Sequence, residues 1–315
     1  MTRVLIIKPS SLGDIVHGLQ VLAAMRAGRD DLHVTWVVRE MFAPLVEACA
    51  QVDRVVVFER RKGWRGLWAV RRVRQGERFD LVMDMQGLLR SGLMTWWARA
   101  PRKVGRPDAR EGAGWFYHRR IASPAGAAPH HAVAVLLPFL AELDLPVALA
   151  GRVTWRPRPD NASVALARGA LVLFPDSRRP EKNWGGYGDL TAAWLAREPA
   201  NRVVWAGNAR AEDGDRFAAA GERFTNLTAR TALGDLPRLI EVAACVVSND
   251  SGPMHLAAAM GQKVVAVFGP TDPRRFGPYP LESPQHRVVM APAGDLRRLE
   301  ASAVIAAVAE LVTTD

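Results

Sequence analysis

The stretch Lys8-Pro9-Ser10-Ser11-Leu12-Gly13-Asp14 separates a β-branched run from a long pattern with helical spacing. Ser11 and Asp14 are spaced as a capping box, a helix start worth about 1 kcal/mol. That role alone is one reading. The other is chemical: a carboxylate at the end of a strand can accept the proton of an attacking hydroxyl, which makes Asp14 a candidate general base. The two roles pull against each other. A helix N-terminus stabilises the carboxylate and weakens it as a base, so a dry site must offset that shift.

Three further loops carry residues suited to an anionic ligand. Asn249-Asp250-Ser251-Gly252-Pro253-Met254-His255 places small residues and a proline at a helix start, where backbone N–H groups bind a pyrophosphate and His255 points back toward it. A capped helix with a surface histidine is the plainer alternative. Residues 175–186 are long, polar and basic, a loop able to grip phosphate through Ser177 and the Lys182 ammonium. Glu212, beyond Ala206-Gly207-Asn208, is placed to accept bonds from ribose hydroxyls. Taken singly, these last two are better explained as a solvated loop and a solvated helix face. The dinucleotide fingerprint GxGxxG is absent, and no His, Cys or carboxylate cluster has ligand spacing, so no metal or other cofactor is expected.

The elements that must hold these loops alternate in type. Val4–Ile7, Val34–Val38, Val55–Phe58 and Leu81–Met85 read as buried parallel strands, with helical patterns at Ile15–Arg26, Met41–Ala50, Trp64–Arg74 and Leu88–Ala98. A helix is expected over Ala132–Leu143, then a proline-bearing linker over 144–160. Alternation restarts with strands at Leu171–Phe174, Val203–Ala206, Val246–Ser248 and Val264–Phe268. Helices are expected at Tyr187–Arg197, Glu212–Ala220, Leu236–Ala244, Met254–Met260 and Leu299–Leu311. The fold class is α/β: two Rossmann-like domains, 1–150 and 160–298, followed by a last helix within 299–315. Two such domains facing a cleft would place their strand C-termini, and these loops, around the ligand.

Lys plus Arg is 42 against 32 for Asp plus Glu, a formal charge of +10. The excess favours an anionic partner: nucleic acid, a phospholipid surface or a phosphorylated or carboxylated substrate. Cys49 and Cys245 are the only cysteines and stand far apart, which fits a reducing compartment. The apolar run at Val4–Ile7 is too short for a signal peptide, and Ala132–Ala141 is about half a membrane span. A cytoplasmic protein able to rest on a membrane is expected.

Together these loops resemble, in order and spacing, the heptosyltransferases of glycosyltransferase family 9. The first half is closest to the heptosyltransferase I branch: Ser10-Ser11-Leu12-Gly13-Asp14 with His17, Asp84-Met85-Gln86-Gly87-Leu88 with Arg90-Ser91, then Glu111 and Phe116-Tyr117-His118-Arg119-Arg120. The resemblance implies a GT-B fold whose C-terminal helix returns toward the N-terminal domain. It implies inverting, metal-independent transfer of heptose from ADP-L-glycero-D-manno-heptose to the Kdo-lipid A inner core of lipopolysaccharide. Carried over, Asp14 is the base and Ser10 lines the donor phosphate. Ser177 and Lys182 hold the pyrophosphate, Glu212 the ribose, and Asp250, Ser251, Gly252 and His255 complete the donor pocket. Lys182 and the helix start at Pro253 then supply the positive field for the leaving group. Three departures bear on the donor sugar: Lys182-Asn183-Trp184-Gly185 for Lys-x-Trp-Pro, Arg178 for a hydroxyl beside Ser177, and Pro253 where the heptosyltransferase I form has Leu.

Arg60, Arg61, Lys62, Arg65, Arg71, Arg72, Arg74 and Arg78 crowd one segment with Trp64 and Trp68. A solvated charged face is one reading. The preferred one is capture of the carboxylates and phosphates of a glycolipid acceptor at the inner-membrane surface, with Arg60 and Arg61 foremost and Arg119 and Arg120 next. Competing functions are a GT-B transferase using another nucleotide sugar, a sugar-nucleotide epimerase of the same fold, and a non-enzymatic protein that binds nucleic acid. No nucleic-acid partner is expected of the preferred reading.

Overall fold

The computed structural model describes residues 1–59, 77–126 and 129–312. The expected helix Trp64–Arg74 and the candidate acceptor residues Arg60 and Arg61 lie outside the described residues. The chain divides into two compact units, Met1–Arg156 and Pro157–Asp315.

The first unit is built from β1 (Thr2–Ile7), α1 (Leu12–Gly28), β2 (Leu32–Arg39), α2 (Ala43–Ala48), β3 (Arg54–Phe58), β4 (Leu81–Asp84), α3 (Leu89–Trp97), β5 (Arg102–Gly105) and β6 (Arg119–Arg120). All six strands run parallel in the order β3-β2-β1-β4-β5-β6. Val4 pairs with Val34 on one side and Leu81 on the other. Val4, Leu5, Ile6 and Ile7 are wholly buried, as a central parallel strand covered on both faces requires. A Cβ on Gly18 would lie 2.8 Å from the Trp36 ring, so that glycine lets α1 press onto β2.

The second unit repeats the plan. It holds α4 (Ala162–Ala167), β7 (Leu171–Phe174), α5 (Tyr187–Arg197), β8 (Val203–Trp205), β9 (Phe224–Asn226), α6 (Leu236–Glu241), β10 (Cys245–Asn249), α7 (Gly252–Ala259), β11 (Val264–Phe268), α8 (Pro273–Phe276), β12 (His286–Met290) and α9 (Ala301–Val312). Its parallel order is β12-β11-β10-β7-β8-β9. Renumbered within each half, both sheets have the Rossmann order 3-2-1-4-5-6. Helix α9 buries Val304, Ala307, Val308 and Leu311, a stripe at helical spacing, in the core beneath α5 and β10–β12.

Local departures from the sequence pattern have identifiable causes. The expected helix over Ala132–Leu143 is 3-10 helix only from Leu137 to Leu143. Pro138 lacks an N–H and cannot sit inside an α-helix. Glu212–Arg223 is likewise 3-10, broken where Gly221 takes φ 59°. The last residues of the proline-rich stretch are pinned to the first unit. Trp155 bridges Cys49, and the Arg156 guanidinium donates to the carbonyl oxygens of Glu47, Cys49 and Val52.

Candidate active site

Each sheet reverses its strand order once, between β1 and β4 in the first unit and between β7 and β10 in the second. Ligands of open α/β sheets bind beyond the strand C-termini at such points, where loops diverge and leave a crevice. The motif-bearing loops follow these strands: 8–14 after β1, 84–91 at the end of β4, 175–186 after β7, and 249–255 at the end of β10.

In the first unit Asp14 lies in the first turn of α1. Its Oδ2 accepts from the Ser11 amide at 3.0 Å and the Ser11 hydroxyl at 2.6 Å, closing the capping box. Its Oδ1 lies 3.5 Å from the Nζ of Lys8. Lys8 itself is 1% exposed, whereas the Asp14 side chain is 40% exposed and so open to a substrate. Burial works to raise the Asp14 carboxyl, but the Lys8 charge, His17 and the two Ser11 bonds outweigh it and hold Asp14 well below the usual carboxylate range. Burial pushes the Lys8 ammonium down from its ordinary value. The conflict foreseen between cap and base is therefore present, and Lys8 deepens it.

Around this pair stands a polar wall. Ser10 donates its amide to Gln86 Oε1 at 3.4 Å, joining the β1 loop to the β4 loop. Asp84 is wholly buried and accepts from the amides of Gln86 and Gly87 at 2.8 and 3.0 Å and from the Tyr117 hydroxyl at 2.7 Å. Burial nevertheless pushes its carboxyl up. Arg106, fixed by paired bonds to Asp108 at 2.8 and 2.7 Å, adds a positive charge that interacts with both Asp14 and Asp84. Arg119 and Arg120 form the edge strand β6. Arg119 is bonded to Glu142, and the Arg120 guanidinium lies over Gly114.

In the second unit Lys182 and Asp250 form a largely buried ion pair, their side chains 13% and 6% exposed. The Thr271 hydroxyl donates to the same Asp250 oxygen at 2.7 Å. Lys182 Nζ also stands 5.9 Å from the centre of the Phe276 ring. Asn249, wholly buried, accepts from the Trp184 amide at 3.2 Å and donates to the Pro175 carbonyl oxygen at 3.0 Å. It thereby ties the 175–186 loop to the end of β10. Ser177 receives further order from Asn183, whose Oδ1 accepts the Ser177 amide at 2.7 Å. Ser251 is the N-cap of α7, its hydroxyl 3.1 Å from that of Ser248, and Gly252 and Pro253 open the helix. His255 is buried one turn in.

The structure thus places Ser10 in the loop after β1 and Asp14 in the helix turn that follows it in the first unit, and joins Lys182 to Asp250, next to Ser251 and Gly252, in the second. Glu212 is exposed at the start of the 3-10 segment. Asp250 is turned toward Lys182 and Thr271, so its carboxylate orients the ammonium. Sequence reasoning passed over Lys8, Arg106, Asn249 and Thr271. A lysine directly after the apolar run Val4–Ile7 was the available signal for Lys8; Asn249 and Thr271 are separated in sequence from the groups they contact, and Arg106 from the Asp14 and Asp84 charges it acts on.

Known proteins resemble this chain in sequence and in fold. The family model described as glycosyltransferase family 9 (heptosyltransferase) matches residues 67–305. The chain is 30% identical over 290 residues to lipopolysaccharide heptosyltransferase 1 of Pseudomonas aeruginosa, covering 88% of this chain and 81% of that one. Among solved structures it is similar to the E. coli heptosyltransferase WaaC with ADP, at TM-score 0.82 and 29% identity over 98% of this chain and 100% of the other. WaaC with ADP-2-deoxy-2-fluoro heptose matches at TM-score 0.79 and 28% identity, over 98% and 99% of the two chains. The two parallel six-stranded sheets are those of the GT-B fold. The chain belongs to glycosyltransferase family 9, the heptosyltransferases, and is a glycosyltransferase.

Proposed function

We propose that this enzyme transfers heptose from ADP-L-glycero-D-manno-heptose to the Kdo-lipid A inner core of lipopolysaccharide, with inversion at the anomeric carbon. The observation that carries the reading is likeness at 28–30% identity, over most of the chain, to lipopolysaccharide heptosyltransferase 1 and to WaaC holding ADP or an ADP-heptose analogue. The site chemistry is consistent with it. Ser10, Ser177, Ser251, Gly252 and His255 line the donor, with Glu212 on the ribose. Lys182, oriented by Asp250, neutralises the pyrophosphate as it departs, aided by the α7 N-terminus. The acceptor hydroxyl attacks the anomeric carbon and the bond to the ADP oxygen breaks. Asp14 takes the hydroxyl proton, so the products are the glycosylated acceptor and ADP.

Arg60 and Arg61 are the first candidates to meet the acceptor's carboxylates and phosphates, and Arg119 and Arg120 the next. An enzyme with such an acceptor works on the cytoplasmic side of the inner membrane. No described helix is long and apolar enough to cross a membrane. The test is a thermal-shift panel followed by transfer assays. ADP and the ADP-sugar should raise Tm where UDP and GDP do not, and sugar release should require the acceptor. Acceptor-independent conversion of the donor would favour an epimerase instead. A response to UDP over ADP would point to another nucleotide sugar.

A further inference from the structure

Helix α3 turns an apolar face outward. Leu89, Leu93 and Trp96 follow one another at i, i+4 and i+7, and Leu89 and Trp96 are 43% and 59% exposed. The 3-10 turn Ala113–Phe116 lies beside it: a Cβ on Gly92 would come within 3.0 Å of Ala113 and 2.7 Å of the Phe116 ring. Phe116 in turn stands 6.4 Å from Trp96, centre to centre. From the same turn Trp115 projects with 88% of its surface exposed. A tryptophan that bare adds almost nothing to the stability of the unit that carries it. Contiguous exposed apolar surface on a folded domain marks contact with something else.

The surroundings say what that is. Lys103 and Arg120 contact the elements that carry this surface, Arg119 precedes Arg120 on β6, and Arg90 follows Leu89 in the chain; the acids among the neighbouring residues are Glu111 and Glu142. Lys103 donates to the carbonyl oxygen of Trp96 at 3.0 Å, and the Arg120 guanidinium packs over Gly114, next to Trp115. Both acids are already engaged, Glu111 with the Leu89 amide and Glu142 with Arg119. Indole rings favour the boundary between headgroups and acyl chains, and a basic rim favours anionic headgroups. We propose that Leu89, Trp96, Trp115 and Phe116, with this basic rim, form the surface by which the enzyme docks on an anionic lipid bilayer. The inference builds on the reading that the acceptor is a glycolipid: the docking surface lies beside Arg119 and Arg120, so a bilayer-anchored acceptor is presented to the unit that carries Asp14.

The test uses the full chain and vesicle flotation, with phosphatidylcholine alone or mixed with phosphatidylglycerol. The wild type should float with the anionic vesicles and not with the neutral ones, and added salt should release it. The double substitution Trp96→Ala and Trp115→Ala should lower partitioning about tenfold or more, while turnover on a soluble, deacylated acceptor stays at the wild-type level. Both residues are exposed, so circular dichroism and Tm should match the wild type. Equal flotation of the wild type and the double variant would overturn the proposal. So would equal binding to neutral vesicles, or a double variant that loses only self-association in sedimentation. Should the wild type float normally yet transfer no heptose, the functional reading fails and the docking surface stands. Should it transfer to the soluble acceptor yet never float, the reverse holds.

Discussion

Replacing Lys8 by Met tests whether the buried ammonium sets the working pH of the base. Two opposite charges 3.5 Å apart attract by about 5 kcal/mol at an effective dielectric constant of 20. The Asp14 side chain is 40% exposed, so water screens much of this. A neighbouring cation lowers a carboxyl by about 1–3 units, and about 1–2 is reasonable for this exposure. Asp14 is held below its unfolded value, so the pair stabilises the fold above the unfolded pKa. That contribution is lost as pH falls through the lower folded one. In Lys8→Met the acid limb of kcat should therefore move upward by about 1–2 pH units. Lys8→Arg, which keeps the charge, should leave the limb near its wild-type place. Stability at neutral pH should change little, because the variant loses an ion pair and also the cost of a desolvated ammonium. Asp14→Asn is the control: it should remove the limb and lower turnover about a hundredfold or more with ADP affinity unchanged. Identical pH–rate profiles for Lys8→Met and the wild type would refute the electrostatic reasoning. Near-normal turnover in Asp14→Asn would return that residue to capping alone.

Three further outcomes are expected. Asp250→Asn should weaken binding of ADP and the ADP-sugar by about tenfold or more, because Lys182 loses the carboxylate that aims it; calorimetric titration measures this, and unchanged affinity would detach Asp250 from the donor. Transfer should persist in excess chelator, with Lys182 and the α7 N-terminus serving the leaving group, whereas loss restored by magnesium or manganese would refute that division of labour. Replacing Arg60 and Arg61 together by Ala should raise the acceptor KM about tenfold or more and leave the donor KM in place. A parallel change in both constants would mean that those arginines shape the fold.

What the chain's own pattern determined was the alternation and its punctuation. β-Branched runs such as Val264–Phe268 can be buried on both faces only as central parallel strands, so the inner strands of both sheets were legible, and Tyr187–Arg197 was bounded as the structure has it. The loops between them carried enough polar character to mark Asp14, Lys182 and 249–255. The short strands β5, β6, β9 and β12 escaped notice. Arg102–Gly105 and Arg119–Arg120 have too little apolar alternation to announce a strand, and pairing with a neighbour distant in sequence makes them one. Tertiary structure alone decided who faces whom. Lys8 is an ordinary basic residue until the sheet buries it against Asp14, and Asp250 is a capping acid until Lys182, 68 positions away, closes on it. Trp115 carries no signal in the sequence, and the 3-10 turn leaves it exposed. Pair energies depend on distance and dielectric, and folding sets both only after chain segments remote in sequence have met.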